Sequence, residues 1–147
     1  MKISTRTRYG ARALTELASV YPQNMLSIKV LGERQHISPK YLEHIMRSFK
    51  AAGLVNAVRG MNGGFVLAKP PTEITLYDVF TVLEGSLAPV HCVDEPESCA
   101  LQSVCPTRET WVEMKQHIEA FLKKTTIFDL AERKKQKVDS LNPTYTI

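Results

Sequence analysis

The 147-residue sequence holds no run of about 18 apolar residues, the length that spans a bilayer. Its start, MKISTRTRYGARALTELA, is basic but lacks the continuous apolar segment of a secretion signal, so a cytoplasmic protein with no membrane partner is expected. Only three cysteines are present, an odd number that cannot all pair within one chain, which argues against a disulfide framework. There is no C-x-x-C pair. The glycine-dense stretch GMNGG lies between two β-prone runs, not between a strand and a helix, so neither a thioredoxin-like centre nor a phosphate-binding loop is indicated. No grouping of Ser, His and Asp suggests nucleophilic catalysis. An enzyme, and with it a small-molecule substrate, is not expected.

What is present is unevenly placed. Residues 1–12 carry Lys2, Arg6, Arg8 and Arg12 with no acid, whereas Asp94, Glu95 and Glu97 fall among the cysteines. The net charge of +4 is compatible with a nucleic-acid partner. A basic end and an acidic, thiol-bearing segment suggest two tasks.

Helix signals are strong in the first half. Ser4 or Thr5 can cap a helix whose Ala13, Leu14, Leu17, Ala18 and Tyr21 form an apolar stripe. Ser27 can cap a short second helix that buries Ile28, Val30 and Leu31. In SPKYLEHIMRSFKAAG, Ser38 stands at the N-cap, Pro39 at the first helical position and Gly53 where a left-handed C-cap belongs. Tyr41, Leu42, Ile45, Met46 and Phe49 share its helical spacing. LVNAVRG and GFVLA then read as a hairpin, with Gly60 and Gly64 supplying backbone freedom at its turn. The sum is a winged helix-turn-helix, mainly α with a small β-hairpin.

Side chains at the start of a recognition helix point at base edges. The candidate DNA-binding residues are Ser38, Pro39, Lys40, Tyr41, Glu43, His44 and Arg47, with Arg59 and Gly60 on the wing. Lys40 and Arg47 suit phosphate or guanine, and Glu43 can accept from cytosine N4. A carboxylate facing a polyanion acts more as a filter on sequence than as a source of affinity. Arg59 suits a narrow minor groove.

TLYDVFTVLEG reads as a further amphipathic helix through Leu76, Val79, Phe80 and Leu83. Later, Trp111, Met114, Ile118, Phe121 and Leu122 recur at three- and four-residue steps, a seam that wants a partner helix. A homodimer is expected from it, matched to double-stranded promoter DNA with two-fold symmetry. The expected organisation is a winged helix over 1–85, a cysteine-bearing loop over 86–106, a dimerisation helix with a C-terminal helix over 107–137, and a flexible tail over 138–147.

Four segments, RYGARALTELA, ISPKYLEHIMRSFKAAGLVNAVRGMNGGFVLAK, the three cysteines after LEG, and W followed by TIFDL, together resemble the Rrf-two family of bacterial winged-helix regulators, most of all its iron–sulfur cluster regulators. The resemblance covers nearly the whole chain and is most specific from Ile37 to Lys69. It implies a dimeric transcription factor whose loop cysteines hold a cluster that alters DNA binding. It also places Glu43 and Arg59 where such regulators read bases and minor groove. The spacing here, C-x₆-C-x₅-C, is one residue longer in its first interval than theirs. Their histidine fourth ligand corresponds to Arg108, and the aspartate that a related nitric-oxide sensor uses corresponds to Arg8.

Cys92, Cys99 and Cys105 are thus the expected ligands of an iron–sulfur cluster, 2Fe-2S or 4Fe-4S. Their intervals exceed those of a structural zinc pair. A fourth ligand could come from His91, Asp94, Glu97, Glu109, the partner subunit or a small molecule. The expected function is a transcription regulator that senses iron–sulfur status, oxygen, redox or nitric oxide. Two alternatives stand beside it: a metal-free thiol-switch regulator, and a small iron–sulfur redox or carrier protein.

Overall fold

The computed structural model describes residues 1–143. Its elements run α1 (Thr5–Val20), α2 (Ile28–Gln35), α3 (Pro39–Ala51), β1 (Val55–Val58), β2 (Gly64–Leu67), a 3₁₀ turn (Pro71–Glu73), α4 (Leu76–Leu83), α5 (His91–Asp94), a second 3₁₀ turn (Pro96–Ser98), α6 (Pro106–Lys124) and α7 (Ile127–Leu141). None of these helices is long and apolar enough to cross a membrane. The architecture is the expected one, mainly helical with a winged helix-turn-helix.

Local chemistry sets the boundaries. The Ser4, Ser27 and Ser38 hydroxyls accept from the N–H groups of Thr7, Val30 and Tyr41 at 3.1, 3.2 and 3.3 Å, each satisfying a donor that the helix leaves open. α3 stops at Gly53, whose φ of 74° suits glycine. Leu14, Leu17, Leu31, Leu42, Ile45, Met46 and Phe49 are fully buried where the first three helices meet. Ile28 and Val30, expected inside, are only partly buried against this core.

The wing pairs β1 with β2 in antiparallel register, Val55 opposite Leu67 and Val58 opposite Gly64. A third, single-residue strand joins it. Leu26 and Phe65 exchange two hydrogen bonds of 3.1 and 2.8 Å. This corrects the expectation for Gly64. Its φ is not positive; a Cβ there would lie 2.5 Å from the Leu26 carbonyl oxygen, so glycine permits the close approach of a strand rather than a turn.

The C-terminal region departs from the expected division. α4 and α7 begin at one joint, where Leu76 N–H donates to the Thr125 carbonyl and Ile127 N–H to the Ile74 carbonyl, both at 2.8 Å. Each helix opens with a capping box, Thr75 with Asp78 and Thr126 with Asp129. Ile127 is fully buried in the core of the first 85 residues, and α7 packs along α1. α7 therefore shares the core of the winged-helix unit. The tail expected from Val138 instead continues α7 to Leu141; residues 144–147 lie outside the described residues.

Candidate nucleic-acid interface and cysteine segment

One face of α3 carries the core and the other faces solvent. Lys40, Glu43, His44 and Arg47 are all exposed, as the inward spacing of Leu42, Ile45 and Met46 requires. Ser38 and Pro39 are exposed at its start, where Ser38 spends its hydroxyl on the cap. Tyr41 is 38% exposed and meets Tyr9 edge-on, ring centres 5.8 Å apart; the Arg12 guanidinium lies 5.4 Å from the centre of the Tyr9 ring. Farther along, Arg6 donates to Ser48 at 2.6 Å. α1 thus locks α3 in place while leaving its polar face free.

These α1 partners were missed as site residues from sequence. Their only signal was the acid-free run of basic residues at the start.

Arg59 and Gly60 are exposed at the tip of the wing. Gly60 has φ of 116°, a conformation that favours glycine, and its carbonyl accepts from Gly63 N–H at 3.0 Å. The turn therefore presents Arg59 at the tip of the hairpin.

The cysteine segment starts where α4 ends. Ser4 N–H donates to Glu84 Oε1 at 2.8 Å, and the Ser4 hydrogen bonds hold that carboxyl below its usual range. The segment is not a featureless loop, since α5 and the Pro96–Ser98 turn order its first half. Asp94 accepts from Lys115 at 2.7 Å and from Ser86; the lysine first, then the serine, lowers its pKa. Arg108 donates to the Cys92 carbonyl at 3.1 Å. Arg108 thus ties the segment to α6.

Cys92, Cys99 and Cys105 are free and half-buried. By donor type, three thiols suit iron. By arrangement they do not yet form a site: among the described residues, no three His, Cys, Asp or Glu side chains converge as a metal would require. A cluster therefore needs the segment to close up. Within that segment, Val93 N–H donates to the Val90 carbonyl and Gln102 N–H to that of Cys99, at 3.2 Å each.

Cys105 stands apart chemically. It occupies the N-cap of the 19-residue α6, with Sγ 3.2 Å from the Thr107 hydroxyl. That hydroxyl, followed by the Arg108 backbone N–H, pulls its thiol below the ordinary cysteine value.

Comparison with known proteins gives the frame for these features. The family model "Rrf2: Iron-dependent Transcriptional regulator" matches residues 3–133. The regulator CymR of Bacillus subtilis is 36% identical over 131 residues, 89% of this chain and 90% of its own. Protein rrf2 of Nitratidesulfovibrio vulgaris is 39% identical over 132 residues, 90% of this chain and 86% of its own. The solved structure of CymR, named as the global cysteine regulator of B. subtilis, superposes with a TM-score of 0.77 at 34% identity, covering 90% of this chain and 98% of that one. Staphylococcus aureus CymR in an oxidized form gives 0.72 at 33%, with 90% and 97% covered. T. potens IscR gives 0.74 at 31%, with 99% and 94% covered. The chain belongs to the Rrf2 family of DNA-binding transcription regulators, which are not enzymes.

Proposed function

We propose that this regulator binds promoter DNA as a cytoplasmic homodimer through α3 and the wing, and that an iron–sulfur cluster on Cys92, Cys99 and Cys105 governs that binding. One observation carries the reading. The chain's whole thiol complement lies in the single segment that joins the DNA-binding head to α6. The likeness to IscR supports a cluster.

α6 supplies the reason for a dimer. Its Phe121 is 64% exposed, and beside it a cavity of about 640 Å³ is lined by Met1, Ile3, Phe80, Leu87 and Ile118. Such an apolar surface is costly in water, and a second α6 would cover it. In the head, Lys40 and Arg47 neutralise phosphates or meet guanine, Glu43 filters base identity, and Arg59 enters the minor groove. Ser38, Pro39, Tyr41, His44 and Gly60 complete the surface.

Cys92, Cys99 and Cys105 would hold the cluster through their sulfurs, which would supply soft, redox-active ligation. The Asp94–Lys115 and Arg108–Cys92 contacts tie the segment that carries these thiols to α6, so its rearrangement would bear on the spacing of the two heads.

The test is anaerobic purification with absorption spectra, iron and acid-labile sulfide analysis, and DNA binding in parallel. A coloured protein that Cys99→Ser bleaches, with altered operator affinity, is the expected result. A colourless protein with no iron after full reconstitution overturns the cluster. On the DNA side, Arg47→Ala should lower the salt slope of binding by about 1, and Glu43→Ala should widen the tolerated bases.

A second reading has its own observation, the place of Cys105 at the start of α6 with its Sγ 3.2 Å from the Thr107 hydroxyl. A metal-free thiol switch there accords with the likeness to a CymR solved in an oxidized form. It predicts oxidant-dependent DNA binding in iron-free protein, abolished by Cys105→Ser.

A further inference from the structure

Glu16 is a carboxylate in α1 with a side chain only 1% exposed. Burying such a charge is costly unless donors surround it. Here the donors come from two other helices. Gln35 Nε2 donates to Oε1 at 2.7 Å and Arg34 Nη1 to Oε2 at 3.3 Å, both from the last turn of α2. The third, Lys134 Nζ, donates to Oε1 from α7, 118 residues away in sequence.

The α2 end of this network is the turn of the helix-turn-helix. Arg12 Nε donates to Gln35 Oε1 at 2.8 Å, and its Nη2 donates to the Gln35 carbonyl. The next residue, His36, sits at φ 54°, left-handed for a residue that is not glycine. Ile37 N–H then returns to the Gly32 carbonyl at 3.0 Å, and a Cβ on Gly32 would lie 2.7 Å from the Ile37 carbonyl oxygen. The turn has little slack, so the seating of Gln35 fixes where α3 begins.

We infer that Glu16 is a positioning residue which, gripped by Lys134, makes the geometry of the helix-turn-helix depend on the seating of α7. α7 follows α6 through the Thr125–Thr126 joint, so whatever moves α6 reaches the turn through this carboxylate. The inference rests on the reading of α3 as the DNA-reading helix.

The experiment measures affinity for a duplex selected from a random pool by the wild-type full-length protein, across a salt series. Lys134→Met should weaken binding roughly 3- to 30-fold, the range for residues that couple sites without touching the ligand. Lys134→Arg should restore it. The salt slope should stay at the wild-type value, because a positioning lysine neutralises no phosphate; a slope lower by about 1 would make Lys134 a direct DNA contact and overturn the inference. Glu16→Gln combined with Lys134→Met should lose less affinity than the two single losses added, since the substitutions share the Glu16–Lys134 contact. Hydrogen exchange of the 36–38 amides, at a temperature where circular dichroism shows every variant folded, should quicken in Lys134→Met. Unchanged affinity and exchange would overturn the proposal. Arg47→Ala, measured alongside, tests the reading of α3 separately: if it binds like wild type, that reading fails and not the coupling.

Discussion

At the scale of single residues, the thiols are not equivalent, because Cys105 alone stands at the N-cap position of a long helix with a hydroxyl at its sulfur. Its pKa is lowered by Thr107 and then by Arg108, so its thiolate forms at lower pH than that of an ordinary cysteine, about 8.5. The sign follows. What the thiolate contributes is present above the unfolded value and is lost as pH falls through the lower folded one. Alkylation of Cys105 by iodoacetamide, followed by peptide mass spectrometry, should therefore set in at lower pH than that of an unstructured cysteine peptide, and Thr107→Val should move the onset upward. An onset at or above that of a free cysteine would contradict the assignment. Cys105 was recognisable as a ligand candidate in sequence, but its activation was not, since that depends on where α6 begins. Glu16 was less legible still. An acid within a helix reads as a solvated charge, and its partners lie 18, 19 and 118 residues away.

At the scale of elements, legibility followed the range of the interactions. Ser38, Pro39 and Gly53 each carry a local physical reason for a helix boundary, and α3 has the expected ends. The third strand at Leu26 is a single residue with no periodicity, visible only once Phe65 is beside it. Gly64 tests that pairing. Gly64→Ala forces a Cβ to 2.5 Å from the Leu26 carbonyl oxygen, a backbone atom that cannot swing away. A loss of about 1–3 kcal/mol is expected in chemical denaturation, as for overpacking, with the wing detaching from α2. Gly53→Ala is strained for another reason, its φ of 74° with open space around it. It should leave the Leu26 amide protected from exchange, whereas Gly64→Ala should expose it.

At the scale of the molecule, the winged helix was legible in sequence, but the return of the chain to its core was not. The helical spacing through Phe121 announced an apolar seam, yet Ile127 gave no sign that the chain re-enters the first core immediately afterwards. Phe121→Glu places a charge on a side chain that the single chain leaves 64% exposed. The fold should survive, and analytical ultracentrifugation should report a monomer that no longer binds a two-fold duplex tightly. A dimer of undiminished strength would remove α6 from the interface.

The shared start of α4 and α7 acts as a fulcrum. α6 extends 19 residues from there, about 28 Å, with Cys105 at its far end. A tilt of about 5° at the pivot sweeps that tip through roughly 2.5 Å over such a length. Read in reverse, a displacement of atomic size at the sulfur end reaches the DNA-binding head as a few degrees of rotation. On the proposed reading, chemistry at the tip is geared down into a small, stiff adjustment rather than a large excursion.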